Sequence, residues 1–246
     1  MNLNETLASL GLTWIRANLD AELADAARKQ RSHQEIIERL LAGECDQRLA
    51  RAIERRFKDA RLPTRKSLDD FDWTWPKKIN RDQIKHLFNL HFLDKKDNVV
   101  FIANAGLGKT HLALALGNEI CQRNRSVRFA TAAEIINTLA SAMAVGQLGS
   151  ALKRYTTPDA LVVDELGYLP VDRTGADLLF QVFTARYEQH TTIITTNRTF
   201  NNWSKTFAGD AVLTSAVLDR IIHHCEPVYI EGRSYRLKGR IEVEPD

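Results

Sequence analysis

From residue 98 onward, the chain alternates short β-rich runs with longer segments of helical pattern. The five runs that favour strands are residues 98–103, 127–130, 160–164, 191–196 and 227–230. Two of them are almost wholly apolar, which is typical of strands covered on both faces. Alternation of this kind predicts βαβ units. We therefore expect an α/β fold built on a five-stranded parallel sheet.

The first part of the chain, residues 3–60, carries a helical pattern instead. Apolar side chains recur there at the i, i+3 and i+4 spacing of amphipathic helices. Gly11 and Gly43 interrupt the pattern and predict helix ends. A basic stretch, residues 51–66, follows with seven cations against two acidic residues.

Pro63 lies near the end of this basic stretch, and we place the domain boundary there. Residues 1–66 are predicted to form a small all-helical N-terminal domain for interaction with a partner or with DNA. Residues 67–246 are predicted to form the larger α/β domain.

The composition of the 246 residues excludes several classes of protein. No stretch approaches the ~20 apolar residues that a membrane span needs, and the first residues lack the pattern of a secretory signal. Three cysteines without C-x-x-C spacing argue against a disulfide framework. The run 223–225, His-His-Cys, lacks a second ligand cluster at zinc spacing. We expect a soluble, cytoplasmic protein with reduced thiols.

A glycine-rich loop directly after the first predicted strand is the sharpest motif in the sequence. Gly106 and Gly108 allow the backbone to curl so that its N–H groups face an anion at the start of a helix. Lys109 supplies a charge for the β- and γ-phosphates, and the Thr110 hydroxyl binds Mg²⁺. Ala103 stands where the G-x-x-x-x-G-K-[ST] pattern has its first glycine. An ordinary βα turn would explain the glycines but not the Lys-Thr pair.

Two adjacent carboxylates end the third predicted strand. Asp164 is placed to meet Mg²⁺ there, and Glu165 to polarise the water that attacks a γ-phosphate. The alternative is a solvated acidic turn, which is common for an isolated Asp-Glu pair. Together with the loop, the pair favours a core that hydrolyses ATP.

Two later residues refine this interpretation. Asn197 follows the fourth strand and can position the lytic water, although turns often contain asparagine. Arg220 lies on an otherwise apolar helix, from which it could reach the γ-phosphate of a neighbouring subunit. The alternative for Arg220 is a local ion pair with Asp219 or Glu226.

Several motifs together resemble one family. They are residues 106–113, 163–168, 195–197, 218–220 and 232–236. The chain is similar in them to the IstB family, the ATP-binding helper proteins of bacterial insertion sequences. Relatives of that family are the DnaC helicase loaders and, more distantly, the DnaA initiators. The similarity covers nearly the whole chain, including residues 62–72.

The resemblance implies a AAA+ P-loop NTPase of the initiator clade that uses ATP and Mg²⁺. It also implies a homo-oligomer with ATP between subunits, binding to duplex DNA, and a transposase partner encoded by the same element. It assigns catalytic roles to Glu165, to Asn197 as the first sensor and to Arg220 as the arginine finger. The metal residues would be Thr110 and Asp164. The nucleotide-binding residues would be Asn104, Ala105, Gly106, Leu107, Gly108, Lys109, Thr110 and His111.

The insertion typical of initiators would span residues 133–155, with two helical stretches, and it ends at Lys153 and Arg154. These cations are our candidates for DNA binding, together with those of residues 51–66 and 233–240. The net charge of +3 permits a nucleic-acid partner without requiring one. Because no base-reading motif is evident, binding would be largely independent of sequence. The alternative for each cation is a solvated face.

A full C-terminal helical lid is not expected, because few residues follow the fifth strand. Arg233 and Arg236 are therefore candidates for a second sensor by position only.

Three functions remain open. The leading one is an ATPase that assembles on target DNA and recruits and activates a transposase. The second is a DnaC-like loader that grips a replicative helicase through residues 1–60. The third is a nucleotide-bound scaffold without useful hydrolysis, which would apply if Ala103 spoils the phosphate loop.

Overall fold

The computed structural model describes residues 2–168 and 171–235 of the chain. The chain divides into two compact units, Met1–Arg55 and Arg56–Asp246. The division falls inside one long helix. Residues 56–66, which the sequence pattern groups with the N-terminal helices, therefore belong to the second unit.

Packing explains why this helix end belongs to the second unit. Phe57, Ala60 and Leu62 pack against the apolar core of the sheet, and Ala60 is fully buried. Burial of these side chains ties the helix end to the sheet. The proposed role of residues 1–66 in partner or DNA binding stays a prediction.

The described part of the N-terminal unit is helical, as predicted, and contains three helices. They are α1, Leu3–Ser9; α2, Thr13–Lys29; and the first part of α3, His33–Ala60. Gly11 lies between α1 and α2 with a φ of 67°. The prediction that Gly43 ends a helix is wrong, because α3 continues through it. A Cβ at Gly43 would lie 2.4 Å from the Trp14 ring, so the glycine allows that ring to approach the helix closely.

The second unit contains the predicted five-stranded parallel sheet. Its strands are β1, Asn98–Ala103; β2, Val127–Thr131; β3, Ala160–Leu166; β4, Thr191–Thr196; and β5, Cys225–Ile230. The order across the sheet is β2-β3-β4-β1-β5, and all neighbours are parallel. Both β1 and β4 are buried along their whole length, β1 with a largely apolar sequence and β4 with four threonines around two isoleucines.

Helices cover both faces of the sheet. They are α4, Arg81–Leu87; α5, His91–Lys95; α6, Lys109–Gln122; α7, Ala132–Ala144; α8, Leu148–Thr156; α9, Arg173–Arg186; a 3₁₀ helix, Phe200–Lys205; and α10, Ala211–Ile222. Two apolar cores result, one on each face. The predicted insertion corresponds to α7 and α8, which lie between β2 and β3. Within the described ranges, no helix is both long and apolar enough to cross a membrane.

Candidate nucleotide-binding site

The predicted phosphate loop connects β1 to α6 and has the expected left-handed glycines. Gly106 has a φ of 77° and Gly108 a φ of 84°. A Cβ at Gly106 would lie 2.0 Å from Ser234 Oγ, and one at Gly108 would lie 2.6 Å from the Phe71 ring. Both positions therefore need glycine for backbone conformation and for space.

Two features make this loop suitable for an anion. No side chain caps the amino-terminal end of α6, and the first residues of this helix line the cleft, so its free N–H groups and the positive end of the helix dipole are available to an anion. Lys109 Nζ donates a hydrogen bond to the Asn104 carbonyl, 2.7 Å away. This contact holds the ammonium group over its own loop, where phosphates would lie.

Ala103 does not disturb the loop. It is the last residue of β1, it is 7% exposed, and it pairs in register with Ile230 of β5. It is not among the residues with positive φ. Because an alanine methyl fits this strand position without backbone strain, the structure gives no support to the scaffold alternative.

Asp164 lies between hydroxyl groups from two other elements. It is 6% exposed, and its carboxylate accepts hydrogen bonds from Thr110 Oγ1 at 2.9 Å and from Thr195 Oγ1 at 2.5 Å. The first hydroxyl begins α6 and the second comes from the end of β4. A carboxylate and a threonine hydroxyl at this separation fit the oxygen-rich coordination that Mg²⁺ prefers. The donor set therefore fits the predicted metal.

Glu165 occupies a β-bulge beside this carboxylate. The register between β3 and β4 shifts between Val163 and Leu166. Glu165 takes a left-handed φ of 59°, is exposed, and donates its backbone N–H to Thr195 Oγ1 at 3.0 Å. A bulge re-aims a side chain, and left-handed residues other than glycine are concentrated at functional sites. Here the bulge turns Glu165 into the cleft.

Four other predicted site residues line the cleft, and two of them also make contacts elsewhere. Asn197 is exposed directly after β4 and lines the cleft. His111 also lines it, but its Nε2 lies 3.0 Å from the Ser67 carbonyl and its ring meets the Phe71 ring edge to face. Ala105 lines the cleft, and Leu107 lines it while also joining the apolar core.

Aromatic side chains form one wall of this cleft of about 430 Å³. Phe71, Trp75 and Tyr235 line it, and the Trp75 and Tyr235 rings meet edge to face with centroids 5.5 Å apart. Trp75 Nε1 also donates to the Arg233 carbonyl at 2.8 Å, and the Tyr235 N–H donates to the Gly106 carbonyl at 2.8 Å. Aromatic walls suit the flat face of a nucleotide base.

Sequence reasoning missed this wall because its members are far apart along the chain. Trp73 lies beside the wall, and its ring packs on Phe71 and on the core. Thr195 was missed as well. The signal that could have revealed it is the position of Thr195 near the end of β4, the strand next to the one that carries Asp164.

Arg220 lies on a helix, α10, as predicted, but it does not line the nucleotide cleft. Its guanidinium group lies 4.8 Å above the Phe180 ring and donates to the Ala216 carbonyl at 2.8 Å. Over the part of the chain that the structure describes, no ion pair joins it to Asp219 or Glu226.

Of the two candidate second sensors, Arg233 accepts the Trp75 hydrogen bond through its backbone carbonyl, and Arg236 lies outside the described residues.

Lys153 and Arg154 are exposed in the last turn of α8. Arg154 belongs to a cluster of arginines from separate elements. Burial lowers the pKa of Arg128, and the charges of Arg61 and Arg154 lower it further, which reflects how close these three cations are. Closely spaced cations of this kind create a positive potential that attracts anions.

The chain is similar in sequence to known proteins along almost its whole length. The pattern of the IstB-like ATP-binding proteins matches residues 5–243. The chain belongs to the IstB-like family. The insertion sequence IS5376 ATP-binding protein of Geobacillus stearothermophilus is 39% identical over 209 residues, which cover 85% of this chain and 83% of that protein. The insertion sequence IS21 ATP-binding protein of Pseudomonas aeruginosa is 36% identical over 234 residues, covering 95% and 88%.

Solved structures with the same fold come from replication proteins. The DnaC helicase loader superposes with a TM-score of 0.56 and 23% identity, over 67% of this chain and 96% of that one. The replication initiator DnaA, bound to AMPPCP and single-stranded DNA, superposes with a TM-score of 0.58 and 20% identity, over 75% and 58%. The IstB-like chain therefore has the AAA+ fold of these proteins, and its predicted fold class is confirmed.

The Thr195 hydroxyl provides a direct test of the predicted metal site. Thr195→Val keeps the shape of the side chain but removes one hydrogen bond to Asp164 and the acceptor of the Glu165 N–H. Groups that orient metal ligands typically contribute about 10–100-fold to metal affinity or activity. We therefore expect the Mg²⁺ concentration that gives half-maximal ATP hydrolysis to rise by about 10–100-fold, as measured by titration with Mg²⁺.

The matched control is Thr196→Val, because the Thr196 hydroxyl accepts a hydrogen bond from the Arg198 N–H at 3.1 Å and does not contact Asp164. Equal Mg²⁺ dependence in Thr195→Val and in the wild type would contradict the assignment.

Proposed function

We propose that this IstB-like protein is a Mg²⁺-dependent ATPase that assembles on duplex DNA and recruits and activates the transposase of its insertion sequence. The observation that carries the ATPase step is the position of Asp164, held between Thr110 and Thr195, with Glu165 turned into the same cleft. Family membership supports ATP as the ligand and a transposase as the partner.

Each residue has a defined part in the proposed hydrolysis. Lys109 leaves the Asn104 carbonyl and neutralises β- and γ-phosphate oxygens, while the N–H groups of the loop hold the remaining charge. Mg²⁺, when bound to Thr110 and Asp164, offsets charge that develops on the phosphates.

The water is handled by two side chains that extend from the ends of neighbouring strands. Glu165 accepts a proton from the attacking water, and the Asn197 amide orients that water for in-line attack. Arg220 stabilises the γ-phosphate of a neighbouring subunit, so that hydrolysis depends on assembly.

The proposed DNA contact rests on the exposed end of α8. Lys153 and Arg154 present two positive charges there, next to the cluster formed with Arg61 and Arg128. Side chains of this type neutralise phosphates and release counterions without reading bases. The proposed binding therefore depends on salt more than on sequence.

A charge-reversal variant tests this interface. Lys153→Glu combined with Arg154→Glu is expected to weaken binding of all duplexes alike and to make the salt dependence of log K shallower by about 2, because the slope is roughly −0.9 per phosphate contact. The measurement is fluorescence anisotropy over a salt series with several duplexes.

The matched control is Lys85→Glu with Lys95→Glu, two exposed lysines elsewhere on the second unit, which changes the net charge equally. If both double variants weaken DNA binding equally, the affinity depends on the total charge of the protein and not on a contact at Lys153 and Arg154. A wild-type preference for one duplex that persists at high salt would contradict binding through phosphates.

The transposase step has its own experiment. The wild-type protein, with ATP and duplex DNA, is expected to retain the transposase of its element on immobilised DNA, whereas omission of ATP should release it. The helicase-loader alternative predicts retention of a replicative helicase instead. It has less support, because the loader shares only 23% identity with this chain, which establishes fold alone.

A further inference from the structure

Two adjacent histidines lie close to a glutamate at the end of the sheet where the strands begin, opposite the phosphate loop. His223 and His224 lie between α10 and β5, and Glu188 lies in the turn between α9 and β4. The parallel strands begin at this end of the sheet, where Asn98, the first residue of β1, pairs in register with Cys225, the first residue of β5. The cluster is therefore separate from the nucleotide cleft. Sequence spacing offers no ligand to accompany the histidines, but the fold supplies Glu188.

The donor atoms of this cluster lie at distances that suit a metal ion. One ligand atom from each of the three residues lies within 4.8 Å of the other two. His224 Nε2 and Glu188 Oε1 are 3.6 Å apart, and His223 Nδ1 and Glu188 Oε1 are 3.9 Å apart. Tetrahedral zinc with bonds near 2.1 Å requires ligand atoms about 3.4 Å apart. Because all three side chains are about half exposed, small rotations can close the remaining gap.

Neighbouring groups favour a cation at this position. Asp97 Oδ1 lies 3.9 Å from His224 Nδ1 and can orient that ring from outside the cluster. The carboxylates of Asp97 and Glu188 thus place negative charge beside the imidazole of His224. The Tyr187 hydroxyl is within hydrogen-bond distance of His223 Nδ1, at 2.8 Å, and a metal ion at that nitrogen would displace it.

Cys225 is not part of the donor set, because among the described residues only Glu188, His223 and His224 bring ligand atoms within this distance of one another.

We propose that Glu188, His223 and His224 bind a zinc ion, with water completing the coordination. Imidazole and carboxylate donors together suit zinc, whereas Mg²⁺ prefers oxygen ligands alone. The ion ties the turn before β4 to the end of α10. Bound zinc therefore stabilises the folded second unit. This inference does not depend on the proposed ATPase or DNA function.

The experiment uses the full chain without nucleotide, first treated with a chelator. Zn²⁺ binding is measured by calorimetry, and Co²⁺ is used as a spectroscopic substitute, because tetrahedral Co²⁺ has intense visible bands. We expect one equivalent of either metal to bind, a higher thermal midpoint with Zn²⁺, and weaker binding at acidic pH, where protons compete for the imidazoles.

Two variants and one control decide the assignment. His224→Ala and Glu188→Gln should each lose the Co²⁺ bands and the thermal shift. His86→Ala should keep both, because His86 is an exposed histidine whose ring lies near another histidine, His91, outside any ligand cluster of the described residues.

Two outcomes would overturn the proposal. One is a wild-type chain that binds no Zn²⁺, which would leave the cluster as a pair of imidazole–carboxylate contacts. The other is binding that survives in His224→Ala and Glu188→Gln but disappears in Asp164→Asn, which would place the metal in the nucleotide cleft.

Discussion

Glu165→Gln is expected to bind ATP as tightly as the wild type and to hydrolyse it about 10²–10⁴-fold more slowly, the usual contribution of a positioned general base. Glutamine preserves the side-chain shape and the bulge, in which the backbone N–H of residue 165 donates to Thr195 Oγ1. It removes only the charge that accepts the proton from water. Binding and chemistry should therefore separate in this variant.

Three measurements make that separation visible. Nucleotide affinity by calorimetry should be unchanged, single-turnover hydrolysis should be slow, and assemblies on DNA should outlive those of the wild type, since hydrolysis no longer ends them. The control is Glu38→Gln, an exposed carboxylate on α3. Hydrolysis at the wild-type rate in Glu165→Gln would assign the base to another group.

The fold could be predicted from the sequence because its signals are local. Apolar runs such as that of β1 are buried on both faces, and this composition is visible without any partner strand. Gly43 was misinterpreted because its reason is not local. A glycine inside α3 is needed only because the Trp14 ring lies against it, and that contact joins positions far apart along the chain.

The site shows the same division between local and distant signals. The phosphate loop is one contiguous motif, so Lys109 and Thr110 could be identified from spacing. Thr195 acts through its hydrogen bond to Asp164, and only the register of β3 and β4 brings the two together. The aromatic wall is a clearer example, because Trp75 and Tyr235 meet only after the chain has folded.

Buried Arg186 illustrates a further limit. It is 1% exposed and donates hydrogen bonds to carbonyl groups of Tyr155, Pro158 and Thr191. Burial lowers the pKa of its guanidinium to about 9. A single arginine at the end of α9 carries no sequence signal for this role, because charged residues are rarely buried unless paired.

The final prediction concerns Arg220, which we expect to act on a neighbour's ATP. Its guanidinium group does not line its own cleft and instead lies over the Phe180 ring of α9. Arg220→Ala should therefore keep nucleotide binding by the isolated subunit. It should lose DNA-stimulated hydrolysis by about 10³-fold or more, the usual contribution of an arginine finger. The control is Arg123→Ala, a surface arginine paired with Glu119.

Mixing two inactive variants tests whether the residue acts between subunits. Lys109→Ala lacks a working loop but keeps Arg220, whereas Arg220→Ala keeps the loop. In a head-to-tail assembly of equal parts, about a quarter of the interfaces combine an intact loop with an intact finger. Mixed assemblies on DNA should therefore recover a fraction of the wild-type rate. If thermal melting shows that each variant is folded and the mixture still recovers no activity, Arg220 acts within its own subunit or only packs against its neighbours. Arg233 would then be the next residue to replace, because its carbonyl already contacts the cleft through Trp75.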